Sequence, residues 1–234
     1  MSSSSNQFPS PRVVISKCMG FAHCRHDGQI IKNEFVEKMK EEINFIPICP
    51  EVEIGLDIPR PSLRLITQNS DIRVIQPQTE TDLTSKMREF IENFLENLPP
   101  VEGFILQNRS PTCGHKDARL FLPHNENSIG KTSGLFTKKI KKKFPHLALE
   151  DGGRLTNFKI REHFLTKIFT LTRFRHIQKK PDISLLVKFH SNNKLLFLAY
   201  HEPLMRELGK LAANPDHLST SDIFQKYQEK LYRL

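Results

Sequence analysis

Apolar residues along the chain change their spacing, and each change predicts an element. Residues 12–18, RVVISKC, are a β-branched run of strand length that ends on Cys18 and a polar, glycine-containing loop. Over 31–43 the apolar positions recur every fourth residue, at Ile31, Phe35, Met39 and Ile43, which is the spacing of one helix face. A second short strand follows and ends at Cys49, with prolines that exclude helix on both sides of the cysteine. Residues 63–67 and 72–76 predict a hairpin turning at 68–71, and 82–98 an amphipathic helix with Asp82 as N-cap. Residues 99–103 lead into a third strand, 104–108. After it, 114–133 has no period and reads as a long loop, 134–145 as a basic helix, and 146–155 as a further strand and turn. From 157 only helical spacing remains, over 157–178, 182–200, 202–213 and 220–234.

Strands alternating with helices predict an α/β fold, a mostly parallel sheet with flanking helices, followed by a small all-α C-terminal domain. The expected boundaries are a disordered Ser/Pro-rich tail at 1–10, an α/β domain at 11–155 and a helical domain at 156–234. In open parallel sheets the functional crevice lies beyond the carboxyl ends of the strands. Cys18, Cys49 and Cys113 each fall at such an end.

Composition narrows the possibilities. At 234 residues the chain can bury a substantial core, and it has neither an apolar run long enough to span a bilayer nor a secretory signal at its N-terminus. Four scattered cysteines without a signal peptide predict free thiols in reducing cytosol rather than a disulfide framework. Net charge is +9, and its distribution is uneven: residues 157–234 hold 14 Lys/Arg against 7 Asp/Glu, the rest of the chain 21 against 19. That surplus suits a polyanion such as nucleic acid, although a basic helical surface can also serve only solvation. With no Trp and three Tyr, the chain lacks the composition of a single-strand stacking platform.

Three cysteines converging from three strand ends could hold a metal centre, but their separations match neither a ferredoxin run nor paired zinc knuckles. Buried cysteines acting as small core hydrophobes are the competing explanation. Cys24, in 23-HCRHDG-28, could join His23 and His26 in a zinc site, or be a surface loop with coincidental ligands. Glu51 stands two residues after Cys49, placed to shuttle a proton or hold a water, unless it is a solvated loop acid. Ser110 and Thr112 could orient a water or substrate, and Arg109 could meet a phosphate or carboxylate; the same residues would equally suit an ordinary turn fixed by Pro111. The fragment 130-GKT-132 is no phosphate-binding loop, because the glycine needed five residues earlier is Asn125.

Taken together, 16-SKCMGFAHCRHDG-28, 46-IPICPEVEIGLDIPRP-61 and 104-FILQNRSPTCGHKD-117 resemble the TudS-like thiouracil desulfidase family over roughly residues 11–155. The segment 186–213 resembles the YbgA-type helical domain, here shortened, and fusions of the two resemble tRNA 4-thiouridine desulfidases. The resemblance implies a 4Fe-4S cluster on Cys18, Cys49 and Cys113 with one iron free of protein ligand. It implies Glu51 and Ser110 as the catalytic pair that positions and activates water, in a hydrolytic, non-redox removal of sulfur from thiolated uracil. The expected substrate is 4-thiouridine in tRNA, giving uridine and sulfide. Free thiouracil is the alternative, and a non-catalytic, metal-stabilised RNA-binding protein the third possibility. Arg25 and Arg109 are the expected substrate contacts, and Lys188, His190, Lys194 and Arg206 the expected RNA contacts. The chain departs from the family pattern at Met19, Gly20 and Phe21 after the first cysteine and at His26 after Arg25. No membrane association and no protein partner are expected.

Overall fold

The computed structural model describes residues 9–69, 71–214 and 216–234. The tail expected over 1–10 lies outside the described residues for its first eight positions. In chain order the elements are β1 (Arg12–Ser16), α1 (Glu34–Met39), β2 (Asn44–Ile48), α2 (Pro50–Glu53), β3 (Arg64–Gln68), β4 (Asp71–Gln76), β5 (Thr81–Asp82), α3 (Thr84–Glu96) and β6 (Gly103–Leu106). There follow β7 (Ala118–Phe121), β8 (Ser128–Thr132), α4 (Leu135–Lys143), β9 (Ala148–Asp151), α5 (Phe158–Gln178), α6 (Ile183–Ala213) and α7 (Thr220–Leu231).

The fold is α/β. Its first sheet has strand order β2-β1-β6-β9, all neighbours parallel. Val13, Val14 and Ile15 are fully buried, as a central parallel strand covered on both faces requires, and this explains the unbroken apolar run in the sequence. Pro47 is tolerated because β2 is an edge strand. A second, five-stranded sheet, β5-β4-β3-β7-β8, contains the expected hairpin as β3 and β4. It also contains β7 and β8, which correct the expected loop over 114–133. All but the last residue of β8 are exposed, so it has no apolar alternation for a sequence pattern to reveal.

Two helix boundaries also differ from expectation. α1 begins only at Glu34, because Ile31 spends its N–H on the Cys18 carbonyl (2.7 Å) and Asn33 caps the helix through Val36 N (3.1 Å). Asp82 belongs to β5 and accepts from Thr84 N (2.8 Å), one residue ahead of the N-cap position at Leu83. The buried faces of α3 (Met87, Ile91, Leu95) and α4 (Phe136, Ile140) pack with Val14, Leu65 and Phe104 into one core.

The chain divides into two compact units, Arg12–Phe164 and one built on Leu165–Leu234. The latter is helical. Within it α6 unites the two expected helices 182–200 and 202–213 across a break at His201, whose Nδ1 accepts from Leu204 N (3.0 Å) and so caps the second half ahead of Pro203. Its core is aromatic: Phe174 stacks on Tyr227 (5.4 Å between centroids) and meets Phe189 edge-on (5.5 Å). Among the described residues, no helix is long and apolar enough to cross a membrane.

Candidate active site

Three loops at the carboxyl edge of the parallel sheet build one cavity. The first leaves β1 at Ser16, turns through Met19 N to Ser16 O (2.9 Å), and passes Gly20, whose φ of +82° few other residues adopt. It returns to place Cys24 beside Cys18. The second puts Cys49 at the N-cap of α2, and its carbonyl accepts from Val52 N and Glu53 N, which fixes Glu51 in the first turn. Pro50 is therefore not a helix breaker here. It occupies the first helical position, where its missing N–H costs nothing.

The third loop follows β6. Gln107 N donates to Ser16 Oγ (2.9 Å), tying the start of this loop to the end of β1. Arg109 takes a left-handed conformation (φ 58°), its N–H held by Asp117 Oδ2 (2.9 Å). Ser110 Oγ then accepts from Thr112 N (3.2 Å) and Cys113 N (3.1 Å), winding the turn that presents Cys113. Gly114 closes it, since a Cβ there would stand 2.7 Å from Ser110 O.

The resulting cavity, about 220 Å³, is lined by all four cysteines together with Glu51, Arg60 and Ser110. None of the four is in a disulfide. Glu51 is held at both oxygens. Arg60 donates to Oε2 from Nε (3.0 Å) and Nη2 (2.8 Å), and Thr112 Oγ1 donates to Oε1 (2.5 Å). Because Thr112 gives its proton to the carboxylate, the 3.2 Å contact between the two hydroxyls leaves Ser110 as donor. Ser110, Thr112 and Glu51 thus form a directed hydrogen-bond chain along one wall.

The guanidinium of Arg60 is almost wholly buried. It also donates to Cys24 O (3.1 Å) and Asp57 O (3.2 Å), and its Nη2 lies 3.9 Å from Cys49 Sγ. Burial and hydrogen bonding disfavour the thiolate form of Cys24, Cys49 and Cys113. A hydrogen bond with Cys18, reinforced by burial, pushes Cys24 up to about 11; burial pushes Cys113 up to about 12; and the Cys24 bond with burial raises Cys49. Loading this pocket with a metal therefore means displacing thiol protons.

A larger cavity of about 570 Å³ adjoins the first and shares Ser62, Leu63, Arg109 and Pro111 with it. Arg64, Arg119 and Lys131 line it, facing Asp117 and Glu126. Arg64 lies 4.9 Å over the Phe121 ring.

The structure thus brings Cys18, Cys49, Cys113, Glu51, Ser110, Arg109 and Arg25 to one place, Arg25 being paired with Asp27 (3.3 Å). Lys188 and Lys194 are exposed on α6, and exposed Arg206 is paired with Glu202 (2.7 Å). His190 is not on that surface. It is buried, with Nδ1 3.0 Å from the Tyr227 hydroxyl, because at its place on α6 the ring turns into the helical core; this corrects its expected RNA contact. Cys24 turns inward to Cys18 and Cys49, and the zinc grouping with His23 and His26 that the sequence left open is not formed among the described residues. Among the described residues, no three His, Cys, Asp or Glu side chains are gathered as for a single metal ion. Sequence reasoning missed Arg60. Its one signal is a lone cation between two prolines, in 57-DIPRP-61.

Fold and site define an α/β protein with a cysteine-walled cavity and an adjoining carboxylate-hydroxyl chain at the sheet's carboxyl edge. A family model described as 2-thiouracil desulfurase matches residues 13–152, and the chain belongs to that family. A second model, for a family of unknown function, DUF1722, matches residues 194–234. The uncharacterized protein YbbK of Bacillus subtilis (strain 168) is 26% identical over 110 residues, 44% of this chain and 72% of YbbK. Among solved structures, the 4Fe-4S-dependent thiouracil desulfidase TudS shares the fold with a TM-score of 0.51 at 20% identity, covering 66% of this chain and 99% of TudS.

Proposed function

We propose that the chain is a desulfidase that hydrolyses the C=S bond of thiolated uracil, with a 4Fe-4S cluster held by Cys18, Cys49 and Cys113. The observation that carries this is the meeting of those thiols in one cavity with Ser110 and Glu51, which buried Thr112 links by hydrogen bonds. The donor set fits the group. Soft, reduced thiols from three separate loops surround a space of about 220 Å³, and thiolates select iron-sulfur clusters over hard cations. When bound, the cluster supplies a thiophilic Lewis acid that polarises the thiocarbonyl.

The chain's own residues do the rest. Arg60 fixes the orientation of the Glu51 carboxylate through a two-pronged bond to Oε2. A water beside that carboxylate adds to the thiocarbonyl carbon and gives its proton to Glu51 Oε1, directly or through the Ser110 and Thr112 hydroxyls. Cleavage of the C–S bond leaves the carbonyl of uracil, and the sulfur departs as sulfide, so no electrons are gained or lost overall. The test is anaerobic reconstitution followed by incubation with thiouracil. Uracil and sulfide in equal amounts support the reading; a colourless protein that takes up zinc and no iron would sink it.

The basic cavity favours a thiolated uracil that carries phosphate, with 4-thiouridine in tRNA as substrate. Arg64, Arg109, Arg119 and Lys131, with Asp117 and Glu126, line a space that shares wall residues with the thiol cavity, which suits the backbone around an unstacked base. Exposed Lys188 and Lys194 on the helical unit would add electrostatic attraction. Nucleoside analysis of treated tRNA, beside a free-thiouracil assay, discriminates the substrates: turnover of the free base alone would exclude the tRNA reading.

A further inference from the structure

The cluster assignment uses three cysteines and leaves Cys24 without a role. Its placement is not that of a spare. Cys24 is 2% exposed and lines the same cavity as the other three, within hydrogen-bonding reach of both the Cys18 and Cys49 thiols. Its backbone is anchored as well: the Cys24 carbonyl accepts from Arg60 Nη2 (3.1 Å) and from the Cys49 thiol (3.8 Å). The guanidinium that orients Glu51 therefore also fixes where the Cys24 thiol can go.

We propose, resting on the cluster reading above, that Cys24 supplies a fourth thiolate to the cluster held by Cys18, Cys49 and Cys113, in the place that a substrate sulfur takes. Binding costs Cys24 its thiol proton. When substrate arrives one iron-sulfur bond is exchanged for another, the released thiolate regains a proton from solvent, and no electron moves. A ligand tethered to the cavity wall has a high effective concentration, so it competes with free substrate. In the substrate-free protein it protects the one iron that would otherwise be open to solvent and oxidant.

The test uses the full chain, reconstituted anaerobically, as wild type, Cys24→Ala and Cys24→Ser. Each is treated with ferricyanide and examined by electron paramagnetic resonance and iron analysis. A cluster with one iron free of thiolate loses that iron on oxidation and shows the 3Fe-4S signal; wild type should keep its iron, while Cys24→Ala should lose about one iron per cluster and give the signal. A thiouracil titration of the cluster absorbance supplies a second readout, and removing the competitor should tighten binding severalfold. Equal 3Fe signals and equal thiouracil affinity in loaded wild type and Cys24→Ala would overturn the role of Cys24 and leave the desulfidase reading standing. Failure of the wild type to take up any cluster would overturn both.

Discussion

The two units treat buried polar groups in opposite ways. In the helical unit several are satisfied inside the helical core: Asn193 donates to Phe189 O (2.7 Å), Thr172 to Ile168 O (2.8 Å), and His190 meets Tyr227 within an aromatic shell. In the α/β unit they converge across long sequence separations on a cavity, whose wall is formed by four thiols and the Glu51–Arg60 pair. Local satisfaction stabilises a fold. Convergence on a cavity costs desolvation that packing does not repay, and such sites are where chemistry is expected.

The sharpest way to break this comparison is to neutralise the group that should do chemistry. Glu51→Gln keeps the shape and can still accept from Arg60 through its amide oxygen while its amide N–H donates to Thr112 Oγ1, but it no longer takes a proton. Turnover of thiouracil should fall by roughly 10²- to 10⁴-fold with iron content unchanged. Full turnover with a loaded cluster would move Glu51 from catalysis to structure.

Arg60 comes next because it belongs to both categories. Arg60→Gln leaves a carboxylate in a buried site without its partner, so unfolding by denaturant should show a loss of about 3–5 kcal/mol. The loss in kcat should exceed any rise in KM, because the carboxylate is misplaced rather than the substrate unbound. Arg60→Lys restores the charge but not the two-pronged geometry, and should recover more stability than rate. Equal recovery of both would make Arg60 a purely structural residue.

A third and smaller effect concerns the basic cavity. Charge reversal at Arg119 and Lys131, both exposed and neither lining the thiol cavity, should weaken binding of thiolated tRNA and flatten its salt dependence. Turnover of free thiouracil should stay within about twofold, as expected where a removed contact serves only uniform binding of the larger substrate. A parallel loss on both substrates would show that these cations support the five-stranded sheet and not the ligand.

How much of this was legible in the sequence depends on which physics marks each residue. β1 and β6 were legible because buried parallel strands are continuous apolar runs, β2 because its short edge run ends on a cysteine between prolines, and the C-terminal helices because their helical spacing runs on over long stretches. β8 was not, since an exposed edge strand has no apolar face to repeat. Cys18, Cys49, Cys113, Glu51 and Ser110 stood out as chemistry at strand ends, and a motif resemblance joined them. Arg60 and the inward turn of Cys24 were invisible because both depend on contacts between loops that no local pattern encodes. His190 was misplaced for the converse reason: a histidine among lysines on a helix looks exposed until the packing angle of that helix is known.

That histidine provides the last and gentlest test, this time of the helical unit. Burial holds His190 below its ordinary value near 6.5, and the Lys194 charge adds to the effect; burial likewise keeps the Tyr227 hydroxyl protonated and able to donate. A group depressed in the folded state contributes its full stability above the unfolded value. That stability is lost as pH falls from about 6.5 toward the folded value, because the unfolded chain then binds the extra proton. The denaturant midpoint of the helical transition should therefore drop between pH 7.5 and pH 5.5, and His190→Gln, which cannot titrate, should flatten that dependence. tRNA affinity, by contrast, should not change between wild type and His190→Gln at pH 7.5. If the substitution weakens RNA binding instead and leaves the pH dependence of stability intact, His190 reaches a ligand surface, and the contrast between a packed helical core and a reactive α/β cavity fails at that residue.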